Sequence, residues 1–455
     1  MSPKENTTSL TTGSLWSNIW YISWPMMLIM FFQFLIGFTD IFVAGLISPE
    51  AQAAVGFSGQ LLFLIIIIAN AISIGTISLV SRNVGAGDFP RVLEISRQAV
   101  LFSMIVALCI SLPGYFFCSD IVRLAGVPIE IRDMAGKFLK VFALSLGPNY
   151  LLIISNAVFR ASGEIKKPLA NMFAVCAVNA LLDFALVFGL YPFPRLGYMG
   201  IAYATAFSVT AGTVLSLFFF TTGRWAGFYK RPWRISGEII KKILSVGWPA
   251  AMLQVSWNAG TIVLYSILGA LGSTGVTALA SFTNGIRTEA VVYLPAFALN
   301  MAASVLVGQN LGAGNPERAE KVGWKIAKAG VWLMCFMGLI IFVLAEQLSS
   351  LLTGDPAVLE ETTRYLRINM ISEPVMALSA ILAGGLQGAG DTRGTMWIII
   401  TAMWIIRLPL AYLLALPLGY GAVGVWMAMI TSMFVQGLLM SRRFRKGYWK
   451  TIRVH

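Results

Sequence analysis

The sequence predicts an all-α polytopic membrane protein with twelve transmembrane helices in two homologous six-helix lobes. Three observations carry that expectation. Of 455 residues, 57% are hydrophobic and only 12% charged, with a mean hydropathy of +0.78, a balance foreign to water-soluble chains of this length. The apolar residues gather in about twelve runs, each long enough for the roughly 20 residues that cross a bilayer. Four motifs of the first half return in the second at nearly one spacing.

The runs lie near 17–46, 53–81, 94–118, 134–159, 167–190, 198–221, 239–269, 275–309, 321–345, 365–387, 394–416 and 421–441. With the N-terminus inside, about 24 Lys and Arg fall in cytoplasmic segments and about 7 outside, so the positive-inside rule puts both termini in the cytoplasm of a cell membrane. The net charge of +13 is then a topology signal and implies no nucleic-acid partner. The tail from Ser441, with Arg442, Arg443, Arg445, Lys446, Lys450 and Arg453, is its strongest marker; contact with anionic lipid is a second reading. The first apolar stretch is too long for a cleavable signal peptide and has no small-residue cleavage site. The longest basic stretch between spans runs from Arg224 to Lys242, with Lys230, Arg231, Pro232 and Arg234. It falls at mid-chain, giving an N-terminal lobe 1–225, a cytoplasmic linker 226–242 and a C-terminal lobe with basic tail 243–455.

The two halves match in detail. SWPMM at Pro25 returns as GWPAA at Pro249, and SRNVGAGDFPR at Gly85 as GQNLGAGNPER at Gly312. FRASGEIKKP at Gly163 returns as LQGAGDTRGT at Gly390, and GYMGIA at Gly200 as GAVGVW at Gly424. The offsets are 224, 227, 227 and 224. Six spans per half is an even number, so the repeats are parallel and related by an axis along the membrane normal, an architecture used by alternating-access transporters. The Gly-Ala-Gly turns read as tight connections; neither has the Lys-Ser or Lys-Thr that a phosphate-binding loop requires. Pro25 and Pro249 each remove a backbone hydrogen bond from a lobe's first span, making a kink or a hinge.

Most of the twenty acidic residues lie in loops. Asp40, Asp183 and Glu289 lie inside spans, and Glu373 sits beside Pro374 in span ten. A carboxylate inside a span costs about 2.5–3.5 kcal/mol on insertion scales. Asp40 and Asp183 lie about eight and seven residues from the outer ends of spans one and five, hence at nearly one depth. Gln33 stands seven residues before Asp40, and Asn179 four before Asp183, each on the same helical face as its carboxylate. Thr205 in span six can add a hydroxyl. Such a set suits a proton carrier, and the same oxygens can ligate Na⁺; the alternative is a buried network that only holds the lobe together. At the matching offsets the second half has Leu264, and Pro409 with Leu410, so one lobe is expected to hold the charge chemistry. Arg287, Glu289 and Arg407 read as paired or capped structural charges.

No catalytic centre is expected. The one histidine is His455, which excludes histidine-based chemistry, and Cys109, Cys118, Cys176 and Cys335 have no metal-ligand spacing and read as small buried hydrophobes.

These residues resemble the multidrug and toxic compound extrusion (MATE) transporters over nearly the whole chain. The likeness rests on VGQNLGAG from Val307 to Gly314, QGAGDTR from Gln387 to Arg393, IRTE from Ile286 to Glu289, Pro25 with Asp40, and Asn179 with Asp183. It implies two six-helix lobes in a V around a shared cavity, exporting organic cations against entering H⁺ or Na⁺, in a monomer without cofactor. The acidic pair is similar to that of the DinF-type branch, which implies that Asp40 takes the coupling proton. Asp183, Asn179 and Thr205 complete the cation-coupling set, and Gln33, Asp40 and Asn179 face the substrate, with Pro25 as hinge. Span seven carries Gln254 and Asn258 but no acid, so the likeness gives no second cation site there. Proton-coupled efflux of lipophilic cations is the first reading; Na⁺ coupling and a lipid-linked oligosaccharide flippase of the same superfamily are the alternatives. Such flippases line their cavity with arginine, and here only Arg287 and Arg407 lie deep within spans. A membrane-embedded transferase lacks its catalytic cluster, and a channel needs neither two lobes nor hinge prolines.

Overall fold

The computed structural model describes residues 10–230 and 233–452; Arg231 and Pro232 of the linker, and Arg453 and His455 of the tail, lie outside the described residues. Among those described, every regular element is helical. The first half comprises α1 (Leu15–Gly45), α2 (Pro49–Gly85), α3 (Phe89–Phe116), the short α4 (Cys118–Leu124), α5 (Ile129–Ala161), α6 (Lys166–Phe188) and α7 (Met199–Phe219). The second comprises α8 (Gly237–Gly269), α9 (Gly275–Gly312), α10 (Pro316–Val343), the short α11 (Ala345–Leu352), α12 (Pro356–Met370), α13 (Glu373–Gly388), α14 (Thr392–Ile400), α15 (Leu408–Ala415) and α16 (Gly421–Lys446). Eleven stretches are single spans long and apolar enough to cross a membrane, and α12 with α13, bent by 52° at their junction, makes the twelfth.

Local chemistry sets the helix ends. Ser48, Asp88, Asp355 and Asp391 accept hydrogen bonds from backbone N–H groups of the first turns of α2, α3, α12 and α14, satisfying donors without an intrahelical partner. The predicted span 365–387 is broken because Pro374 stands in the first turn of α13 and has no N–H to continue α12. The predicted span 394–416 runs from α14 to α15 through a π-helical turn, Thr401–Arg407, just ahead of Pro409; widening the ring accommodates the donor that proline lacks.

The duplication read from the motifs is built into the backbone. Gly163 and Gly390 both have φ of 86°, a left-handed conformation that glycine adopts without penalty. Gly200 and Gly424 both lie against backbone: a Cβ would fall 2.8 Å from Val187 N in one case and 2.8 Å from the Leu414 carbonyl carbon in the other. Packing repeats too. α5 packs on α2 and α3, as α13 packs on α9 and α10, and α6 packs on α7 as α15 does on α16.

The chain forms two compact units, Trp24–Trp248 and Met1–Ser23 with Pro249–His455. The changeovers therefore do not coincide with the linker 226–242. They fall inside α1, one residue ahead of Pro25, and inside α8, immediately ahead of Pro249. At both places the proline leaves the carbonyl four residues back, Tyr21 or Ser245, without its helical partner, the weakest point in an otherwise continuous ladder.

Cys118 and Cys176 are buried as expected, whereas Cys109 and Cys335 are exposed on helix surfaces; an apolar run marks a span but not which face meets the lipid.

Candidate functional site

In the unit Trp24–Trp248, α1 brings Asp40 against α6 and α7. Ile36 packs on the core of Leu152, Val175 and Val209, and one turn beyond Asp40, Val43 and Ala44 join Val55, Phe142, Val187 and Ile201. Phe32 meets Phe173 of α6 edge-on at 5.7 Å. Asp40 thus sits between two apolar contacts, where little water screens its charge.

Asn179 Nδ2 donates to Asp40 Oδ1 at 3.2 Å, and Thr205 Oγ1 donates to Asp40 Oδ2 at 3.3 Å. The Asn179 amide also reaches Thr205 Oγ1 at 3.5 Å, and the same hydroxyl lies 3.0 Å from the Ile201 carbonyl. One hydroxyl proton therefore serves two acceptors. Asp183, one turn beyond Asn179 on α6, is fully buried, as is Asn179. Its carboxyl lies within hydrogen-bonding reach of Asp40, yet neither of its oxygens receives a hydrogen bond from a donor among the described residues, and Asn179 Oδ1 is likewise without one. Oxygen acceptors outnumber donors here. Buried carboxylates without donors are costly, and two that face each other are reconciled by a proton between them or by a cation.

Asp40, Asn179, Asp183 and Thr205 are thus brought together. Gln33 is not: it is exposed and makes no hydrogen bond to the cluster. Seven residues keep it on the face of Asp40 but about 10 Å along the axis, beyond the reach of an amide. Pro25 is buried in α1 at the unit changeover.

The unit containing Pro249–His455 holds a second acidic cluster. Glu289 on α9 and Glu373 at the start of α13 are 4% and 2% exposed. Tyr293 and Tyr365 hydroxyls donate to the two oxygens of Glu289 at 3.0 and 2.8 Å. Glu373 lies beside Tyr293 and Glu289, with its Oε2 lacking a donor. Arg407, 3% exposed, lies close enough to Glu289 to feel its charge; its Nε donates to Ser432 Oγ at 2.7 Å and its guanidinium lies 5.0 Å from the Trp257 ring centroid. Glu289 and Arg407 are capped, as expected. Arg287 is not: it is exposed, with no hydrogen bond or ion pair to a described residue. The sequence reading named Glu373 but missed Tyr365, at the polar start of span ten; α9, α12 and α13 converge only in the fold.

Comparison with known proteins follows the same duplication. The MatE family matches residues 25–185 and 249–413, two segments that begin at Pro25 and Pro249. The probable multidrug resistance protein NorM of Thermotoga maritima is 27% identical over 428 residues, covering 92% of this chain and 89% of that one. The multidrug resistance protein PmpM of Pseudomonas aeruginosa is 24% identical, over 95% and 91%. A multidrug resistance MATE family transporter of the MOP superfamily, solved in an outward-facing conformation, superposes with a TM-score of 0.87 at 23% identity, covering 97% of this chain and 98% of that one. Matched in both halves by one family, the chain is a multi-pass membrane transporter belonging to the MatE family.

Proposed function

We propose that this chain is a cation-coupled multidrug efflux antiporter that exports lipophilic organic cations by alternating access, with H⁺ as the coupling ion and both termini in the cytoplasm. The observation that carries the reading is the surplus of acceptors around Asp40: two carboxylates and an amide oxygen, those of Asp183 and Asn179 fully buried, with too few protons to satisfy them. That set has a standing demand for one positive charge, which either a proton or a cationic drug meets, and mutual exclusion of the two couples their fluxes. Entry of H⁺ from outside neutralises Asp40, α1 bends near Pro25, and the drug is released; loss of the proton inward restores the demand. The names of the relatives, multidrug resistance proteins, support the substrate class. We propose a monomer without cofactor.

Two observations favour other readings. The oxygens of Asp40, Asn179, Asp183 and Thr205 are also the ligand type that Na⁺ takes. Arg287, exposed on α9 and without an ion-pair partner among the described residues, suits an anionic cargo such as a lipid-linked oligosaccharide. The test is ethidium movement in proteoliposomes under an imposed pH gradient and then an imposed Na⁺ gradient. H⁺-driven ethidium movement that Na⁺ does not replace is expected. Movement driven by Na⁺ alone transfers the reading to Na⁺ coupling, and none under either gradient abandons efflux of cations.

A further inference from the structure

One face of α10 joins a cationic cleft to an uncovered apolar stripe. Lys321, Lys325, Lys328, Trp332, Phe336 and Leu339 follow one another at spacings of four and three, hence on one side of the helix. Lys321, Lys325 and Lys328, with Trp324, Glu317 and Glu320, line a cleft of about 510 Å³ at the helix start. Lys450 of the tail neutralises Glu320 at 2.6 Å. The three lysines make no ion pair with a described residue, and Lys325 rests its ammonium 5.7 Å from the Trp16 ring. Three positive charges therefore face one free carboxylate, that of Glu317. Beyond the cleft, Trp332, Phe336 and Leu339 are 76%, 63% and 63% exposed. From Lys328 to Leu339 the helix rises about 16 Å, half of a hydrocarbon core roughly 30 Å thick.

We propose that this face holds one anionic glycerophospholipid, its phosphate among the three lysines and an acyl chain along Trp332, Phe336 and Leu339. The charge surplus selects an anionic head. The adjoining apolar stripe, as long as one leaflet, selects a lipid over free phosphate. Lysine suits the task, since its ammonium is a mobile point charge that meets a phosphate without a fixed orientation, while its stem lies on the apolar surface. This site is separate from the acidic clusters and holds whether or not the transport reading does.

The full chain, purified in neutral detergent, is titrated with dioleoylphosphatidylglycerol, dioleoylphosphatidylcholine or inorganic phosphate, and retained ligand is read by native mass spectrometry. Phosphatidylglycerol should bind in preference to phosphatidylcholine. Lys321→Gln and Lys328→Gln should each weaken it about fivefold, and both together with Lys325→Gln about 100-fold. Trp332→Ala should lower it a few-fold, and excess inorganic phosphate should displace little. The single substitutions lie at exposed positions and carry the test should the triple variant not fold. Equal retention by the parent and the lysine variants overturns the proposal, as does equal loss on changing Arg442, Arg445 and Lys446 instead. Full displacement by inorganic phosphate overturns the lipid as the ligand.

Discussion

The two acidic clusters are opposite solutions to burying a pair of carboxylates. Around Glu289 the pair is largely answered: both Glu289 oxygens receive tyrosine hydroxyls and Arg407 supplies a positive charge nearby, leaving Glu373 Oε2 without a donor among the described residues. Around Asp40 it is not: among the described residues no cationic side chain takes part, one hydroxyl proton is divided between two acceptors, and Asp183 has no protein donor. The pair with a tyrosine on each Glu289 oxygen and an arginine nearby has less to gain from an added cation than the pair that has neither. Better satisfied polar networks fix a structure, and less satisfied ones remain open to change. The same duplicated scaffold thus carries one cluster suited to hold a lobe together and one suited to exchange charge.

The largest expected effects break the uncompensated side. Asp40→Asn should fold and reach the membrane, because the amide imitates a protonated acid, yet gradient-driven ethidium efflux should fall at least about tenfold. Binding of the cation, followed by its fluorescence, separates lost coupling from lost folding. Asp183→Asn should also weaken efflux, by a smaller factor, since Asp40 keeps Asn179 and Thr205. Normal transport by both variants would make the pair structural and end the comparison. A dead Asp183→Asn beside an active Asp40→Asn would move the coupling site to α6.

The compensated side should respond in stability. Tyr365→Phe leaves a buried Glu289 oxygen without its donor, a loss of about 1–3 kcal/mol. Thermal unfolding in detergent should shift down, while efflux at a permissive temperature stays within about threefold of the parent. Efflux abolished with stability unchanged would give Glu289 a coupling role and erase the contrast between clusters.

Much of this was legible because it is periodic or costly. Motif offsets disclosed the duplication, and the expense of Asp40 and Asp183 in apolar runs marked them out. Asn179 was legible through helical spacing to Asp183. What stayed hidden depends on convergence. Tyr365 stands among EETTRYLRIN, polar enough to read as a span's approach, and only the 52° bend at Pro374 brings α12 and α13 to Glu289 together. Gln33 failed for the complementary reason: spacing gives the face a residue shares but not the distance along it.

The smallest expected effect compares two acid latches at one repeat offset, Glu164 and Asp391. Arg443 grips Asp391 with two hydrogen bonds of 2.7 and 2.8 Å, and Asp391 also caps α14. Glu164, between α5 and α6, accepts from Arg224 at 2.5 Å, Trp225 at 2.8 Å and Lys167 at 2.6 Å. Burial works against its ionisation, but Arg224, Lys167 and Trp225 outweigh that and hold its carboxyl below the usual range. A carboxyl depressed in the folded state stabilises above its unfolded value, about 4.3, and loses that contribution as pH falls through the lower folded value. Glu164→Gln should therefore cost about 1–2 kcal/mol at neutral pH. The gap from the parent should stay constant above about pH 5 and narrow below about pH 4. Asp391→Asn should cost more, because Asp391 is 4% exposed and the amide, though it can still cap α14, cannot accept both Arg443 hydrogen bonds. Unfolding midpoints at a series of pH values decide the matter: a gap for Glu164→Gln that widens on acidification would mean that the carboxylate is strained in place rather than held by its three donors.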